Sequence, residues 1–347
     1  MIAPTNTPVT DSASSTSSTS AGFEQRITTS VRPAFPLLVA LADDPCGDAT
    51  LAMARALVRD RGASPTVVTV VELGGGTEIG AAALLDTLEQ DPEFHDVHVR
   101  ALRRRFADAG GVLEQWPITV HAGDSTAGIL EVASEIQPEL IVMGLGRHGR
   151  LARATGEDTV HEVMRAGVAP VLAVPPSATP PEPRLPARVL VAMDFSAASI
   201  RAAHVARHLM GDRGTMHLAH VRFPLLEHDG ERYEGLEVVQ TAGVQAAFEA
   251  VSRELTTEGI AVTSTVVEGD AATSLLALAA TLQPDLIAIG SQRHHWLERL
   301  LLGSVARAVA DDGRWPVLVT PPRPRPASTG AAQPSNLRDG SPPPIRQ

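Results

Sequence analysis

Short continuous apolar runs recur along this chain, and each is followed by a segment with helical spacing. In the second half, Val189 to Met193 is such a run, suited to a strand buried on both faces. Ser196 can cap the helix that follows, through about Met210. Thr215 to Val221 reads as a second strand, and a long helix fills roughly Tyr233 to Glu258, ended by Gly259. Ile260 to Val267 is the third strand. Asp270 can cap a helix to Leu282, and Pro284 stops it. A fourth strand over Leu286 to Ile289, a helix over about Leu302 to Asp311 and a fifth strand over Val317 to Thr320 complete the series. The first half keeps this order, with strands near Leu37, Val67, Ile118, Leu140 and Val171. Strands separated by helical crossovers predict the α/β class, with a doubly wound, parallel, five-stranded sheet in each half and right-handed connections. Ligands in such sheets sit at the carboxyl ends of the strands, near a switch in strand order.

The two halves are copies of one unit. VHAGDSTAGILEVASEIQPELIVMG (Val120 to Gly144) aligns without a gap with VVEGDAATSLLALAATLQPDLIAIG (Val266 to Gly290). Each half opens on a matching strand, PLLVALADD at Pro36 and RVLVAMDFS at Arg188, and closes on PVLAV at Pro170 or PVLVT at Pro316. Between them PPSATPPEPRLP reads as a stiff linker. The expected organisation is a Ser/Thr-rich tail over 1–33, a domain over 34–175, a linker over 176–186, a second domain over 187–322 and a Pro-rich tail over 323–347.

Composition narrows the classes. The 347 residues suit two domains of ordinary size, and 44% apolar residues can fill two cores. Aromatics are only 3%, so Val, Leu, Ile and Ala must build those cores. A net charge of −11 gives no global pull on nucleic acid or an anionic membrane, so neither partner is expected. The single cysteine, Cys46, excludes an internal disulfide framework and a multi-cysteine metal site. No run of about 18 apolar residues is present, and no basic segment leads into an apolar one at the N-terminus, so a cytoplasmic protein is expected.

Several residues then suggest a family. Asp194 in VAMDFS, the Gly269-Asp270 pair, and IAIGSQRHHWLERLLLGSVARAV running into WPVLVT resemble the universal stress protein family. The resemblance covers both halves and implies a fold of the adenine nucleotide alpha hydrolase-like type. Nucleotide-binding members carry G-x-x-G, nine residues, then G-S or G-T after the fourth strand, and that loop holds the phosphates of ATP. Phosphate needs backbone N–H groups aimed at it, which glycine and a helix amino terminus supply. Gly290 matches the first glycine, Arg293 stands at the second, and Gly303 and Ser304 match the final pair. Arg293 can fill the path of the phosphates or pair with one of them. By the resemblance Asp194 lies near the adenosine and Val221 touches adenine. Gly269 and Asp270 read first as a turn and a helix cap, and second as a ribose contact. The implied ligand is ATP, with magnesium accompanying it.

The first half departs further from the pattern. Ala42 replaces the acidic residue, the loop between Gly144 and Gly156 is one residue shorter, and Glu157 stands where a serine should be. A carboxylate beside a phosphate is repulsive. This half reads as a structural partner. In the family, domains pair through the fifth strand, so the chain can pair its own halves there, and two chains can pair further as a homodimer.

Other motifs carry less. Gly144 to Gly149 spells G-x-G-x-x-G, but it follows the fourth strand and Ala169 stands where a dinucleotide site needs an acid. His148, His294 and His295 read as surface histidines, Cys46 as a small buried residue, and Arg103 to Arg105 as a solvated helix face. Two functions stay open: a stress-response regulator that binds an adenine nucleotide in its second half, and one that binds none and acts by protein contact. Enzymatic work beyond slow ATP hydrolysis finds no nucleophile and base in the sequence.

Overall fold

A computed structural model of the chain describes residues 35–42, 44–72, 87–88, 91–107, 111–146, 159–178, 184–222, 234–291 and 303–322, with 234–241 described as backbone only. Both expected tails, Arg293, His148, His294, His295, Gly156 and Glu157 lie outside these residues.

Each apolar run becomes a strand. The first half is β1 (Phe35–Ala40), α1 (Pro45–Arg61), β2 (Ala63–Val71), α2 (Pro92–Arg105), β3 (Ile118–Ala122), α3 (Ser125–Ile136), β4 (Leu140–Gly144), α4 (Thr159–Ala166) and β5 (Val171–Val174). The second is β6 (Arg188–Ala192), α5 (Ala197–Leu209), β7 (Gly214–Arg222), α6 (Glu234–Leu255), β8 (Ile260–Glu268), α7 (Ala271–Leu282), β9 (Leu286–Gly290), α8 (Ser304–Asp312) and β10 (Val317–Thr320). Caps explain most helix boundaries. The Asp44, Asp124, Ser196 and Asp270 side chains each accept an N–H from the first turn of the helix they precede. The helix expected to run to Glu258 stops at Leu255, because Thr257 turns back to pair with Ile260. The helix ending near Pro284 is closed by Gln283 in the left-handed region (φ 48°), whose N–H reaches the Ala279 carbonyl.

The strand order is β3-β2-β1-β4-β5-β10-β9-β6-β7-β8. Two five-stranded sheets were expected, and they are joined into one of ten strands. Every neighbouring pair is parallel except β5 and β10, which run antiparallel with Leu318 opposite Leu172. Helices α1, α2, α5 and α6 cover one face and α3, α4, α7 and α8 the other. Alternate residues of β1 serve the two layers: Leu37 and Val39 one, Leu38 the other, all fully buried. Both core layers run across the β5–β10 junction, through Leu172 and Leu318 on one face and Val171 and Val319 on the other. In each half the switch in strand order falls beside the first strand, between β1 and β4 and between β6 and β9. No described helix is long and apolar enough to cross a membrane.

At the amino ends of β6 and β9 one carboxylate ties the two strands. Asp285 accepts N–H bonds from Ala187 and Arg188 at 3.0 and 2.9 Å and one from the Arg188 guanidinium at 3.1 Å. Burial pulls its carboxyl upward, but the bonds from Arg188 and Ala187 outweigh that and hold it below the usual carboxylate range. A carboxyl depressed in the folded state lends stability above its unfolded pKa, about 3.9, and loses it as pH falls through its folded value. Asp285→Asn is therefore expected to cost about 1–2 kcal/mol at neutral pH. The gap to the parent should close as pH falls below about 4. Urea melts at pH 7 and pH 3 measure this, and an equal gap at both would show that the charge is irrelevant.

Candidate functional site

A cleft of about 490 Å³ opens at the carboxyl ends of β6, β7 and β9, at the switch point of the second half. Its floor and one wall are apolar: Ala219 and Val221 from β7, Ile289 from β9, and Ala271 and Leu275 from α7. Its polar lining is Asp194 after β6, Ser199 of α5 and the first turn of α8.

Asp194 is held by a tight strand-to-helix turn. Its Oδ1 accepts the Ser196 N–H at 3.0 Å, and Ser196 Oγ in turn accepts the Ser199 N–H at 3.2 Å to cap α5. Phe195 between them has φ +60°, a left-handed conformation that costs a bulky residue about 1–3 kcal/mol. Its ring is clamped by Phe248 at 5.1 Å, edge to face, and by His220 at 5.2 Å. His220 Nδ1 lies 2.7 Å from the Met193 carbonyl, and a carbonyl only accepts, so the proton sits on that nitrogen. A cluster of rings thus fixes the backbone on both sides of the carboxylate. This support was not read from the sequence, because its members come from three distant segments. The only local signal was an aromatic residue beside the acid.

Across the cleft α8 starts without a side-chain cap among the described residues. Gly303 is its N-cap, and the first-turn residues Ser304, Val305 and Ala306 line the opening. Uncapped first-turn amides at the positive end of a helix form an anion site. A Cβ added at Gly303, where φ is −57°, would meet nothing within 4 Å among the described residues. Neither backbone conformation nor packing by the described residues demands glycine there.

Gly290 is different. A Cβ on it would lie 2.3 Å from the Ser199 nitrogen and 2.4 Å from the Ala198 carbonyl carbon. The close approach this glycine permits is to the first turn of α5, and Ser199 thereby becomes part of the lining. Of the expected site residues, Asp194, Val221, Gly290, Gly303 and Ser304 come together in the cleft. Gly269 and Asp270 stand just before Ala271, outside the lining. Gly269 has φ +132°, and Asp270 caps α7 by accepting from the Thr273 N–H and hydroxyl at 2.9 and 2.8 Å. Those bonds hold its carboxyl below the ordinary range.

The first half repeats the close approach of the fourth strand to the first helix. Leu145 is buried where the second half has Ser291. A Cβ on Gly144 would lie 2.5 Å from the Cβ of Cys46, itself buried in α1, and one on Gly47 would lie 2.8 Å from the Phe106 ring. Arg105, expected on a solvated face, reaches back to fork the Asp48 carboxylate at 3.1 and 2.9 Å, so that run ties α2 to α1. Arg103 bonds the Leu113 carbonyl at 3.2 Å. No group of three or more metal-ligating side chains occurs among the described residues.

Comparison with known proteins fits this geometry. The family model of the universal stress protein family matches twice, over residues 35–175 and 187–321. A universal stress protein from Archaeoglobus fulgidus is similar at a TM-score of 0.53 and 20% identity, over 84% of this chain and 100% of that one. A functionally unknown protein from Pseudomonas aeruginosa is similar at 0.53 and 18%, over 84% and 93%. Both likenesses are of fold. No curated protein matches the chain. With both halves matched and the doubly wound order repeated, the chain belongs to the universal stress protein family, as a tandem of two copies.

Proposed function

We propose that this protein is a stress-response regulator whose second half binds an adenine nucleotide, ATP, in the cleft between Asp194 and α8. The observation that carries the reading is the uncapped amino end of α8 facing an ordered carboxylate across an apolar-floored opening. Adenine would lie on Val221, Ala219 and Leu275, where its faces replace water against apolar walls. Asp194 would accept from the nucleoside. The N–H groups after Gly303, with the Ser304 hydroxyl, would take the phosphates. Magnesium would travel on the phosphate oxygens, the usual way this ion is bound beside a nucleotide. Arg293, by its place in the chain before Gly303, would pair with a phosphate. In this reading the first half, with Ala42 where the acid should be, is a structural partner held through the fifth strands. The antiparallel β5–β10 register supports that role.

Calorimetry of the full chain with ATP and magnesium tests the proposal. Saturable binding is expected, weakened about tenfold by Asp194→Ala, the loss of one charge-assisted bond. It should be weakened more strongly by Ser304→Glu, which sets a carboxylate against the phosphates. No heat at millimolar ATP from folded protein would overturn it. That outcome would favour the second reading, action through protein contact, which rests on Arg293 standing where nucleotide-binding relatives have glycine.

A further inference from the structure

A second cleft, of about 310 Å³, lies at the other end of the second half's strands, where β6, β9 and β10 begin. It exists because the halves are joined. One wall is α1 of the first half, through Ala49 and Met53, and the other is Arg188, Asp285, Trp315 and the linker residue Arg184. None of its lining residues lines the cleft beside Asp194.

Its charge runs against that of the chain. In a protein of net charge −11, Arg184, Arg188 and Arg314 line this cleft with one lining carboxylate, Asp285, and a second, Asp312, bonded to Arg314 from beside it. Asp285 is already committed to Ala187 and Arg188. Arg188 spends one nitrogen on it. Arg314 spends Nε and Nη2 on Asp312, at 2.6 and 3.0 Å, and its guanidinium lies 4.3 Å from the centre of the Trp315 ring. Arg184 has no hydrogen-bond or ion-pair partner among the described residues. A guanidinium carries five N–H donors in a planar fork, so the described residues take up less than half of this donor capacity. The space between is walled by Met53, Leu185, Pro186 and Trp315, the last only 7% exposed. The volume is at the low end for small-molecule sites.

We propose that this cleft binds a small organic anion, a phosphate or carboxylate group carried on an apolar body. The arginines hold the charged group and the Trp315–Pro186 side holds the body. The site is a property of the tandem chain, since Arg184 comes from the linker and Met53 from the other copy.

Phenyl phosphate, benzoate and inorganic phosphate are the probes, titrated into the full chain. Binding is read by calorimetry and by the NMR shift of the Trp315 indole N–H, assigned with Trp315→Phe. Saturable binding of phenyl phosphate that moves the Trp315 signal is expected. Binding should be about tenfold weaker in Arg184→Gln and in Arg314→Gln, each losing a charge-assisted contact. Phenyl phosphate should exceed benzoate if the group is a phosphate, and benzoate should exceed it if a carboxylate is preferred. Inorganic phosphate should bind more weakly than either. Arg184 is exposed, so its variant keeps the fold even if Arg314→Gln does not. Three results overturn the proposal: no saturable binding of either aromatic anion at millimolar concentration, binding unchanged in Arg184→Gln, or binding abolished by Ser304→Glu with Trp315 unmoved. The last would assign the probe to the cleft beside Asp194. Inorganic phosphate binding as tightly as phenyl phosphate would remove the apolar body.

Discussion

Gly290→Ala is expected to lower stability by about 3 kcal/mol, the upper range for forcing a group into packed structure. The new methyl would sit 2.3 and 2.4 Å from backbone atoms of Ser199 and Ala198, and 2.7 Å from the Ser199 Cα. Backbone atoms in a capped first turn cannot rotate away as a side chain would. The helix must move as a body, and Ala202, Ala203 and Ala206 on the same helix are fully buried, leaving it no room to slide. Gly303→Ala is the matched control. It meets nothing among the described residues and has an ordinary φ, so its effect on folding should stay within about 0.5 kcal/mol. Urea denaturation of both variants measures the contrast. A Gly290→Ala curve superimposable on the parent's would mean that α5 is not held against β9. Both positions match one ligand motif, yet one serves the fold and the other leaves space open.

Leu318→Asp is expected to be the most damaging single change at the junction, at about 4 kcal/mol or more. Leu318 is fully buried, lies opposite Leu172, and belongs to the core layer shared by the two halves. A carboxylate there loses its water and gains no partner. Burial raises the pKa of such a group in the folded state, so the variant's deficit should grow as pH rises through that value and shrink in acid. Leu318→Met, which keeps the volume, should cost less than about 1.5 kcal/mol. Hydrogen exchange distinguishes a local from a shared effect. If the layer is continuous, amides of β4 in the first half lose protection along with those of β9. Protection of Leu140 to Gly144 at parent levels would show that the halves are energetically separate.

Much of the second-half cleft is legible in the amino-acid sequence. Asp194, Gly303 and Ser304 carry their chemistry in residue type and position: an acid at a strand end, and a glycine and a hydroxyl where a helix begins. Val221 was placed by resemblance, as the end of the second strand. The hidden parts are those defined by distant contacts. Nothing local says that Phe195 needs Phe248 and His220 to hold its backbone, or that Ser199 reaches the cleft because Gly290 lets α5 approach. Asp270 shows the reverse case. Its local role as a cap was readable and is observed, while the second role suggested for it depends on where the cleft opens, one residue further on.

The duplication, the alternation of strand and helix, most of the helix caps, and the asymmetry between Asp194 and Ala42 are all written in the order of residues. These follow from periodicity, propensity and residue chemistry, which act over a few residues. Pairing through the fifth strands was an expectation from the family resemblance, but its antiparallel direction, its register and the second, arginine-lined cleft beside the linker come from the folded molecule alone. All three depend on how edges and ends from opposite halves meet. That is fixed by packing and hydrogen bonding over long sequence separations, which no local pattern records.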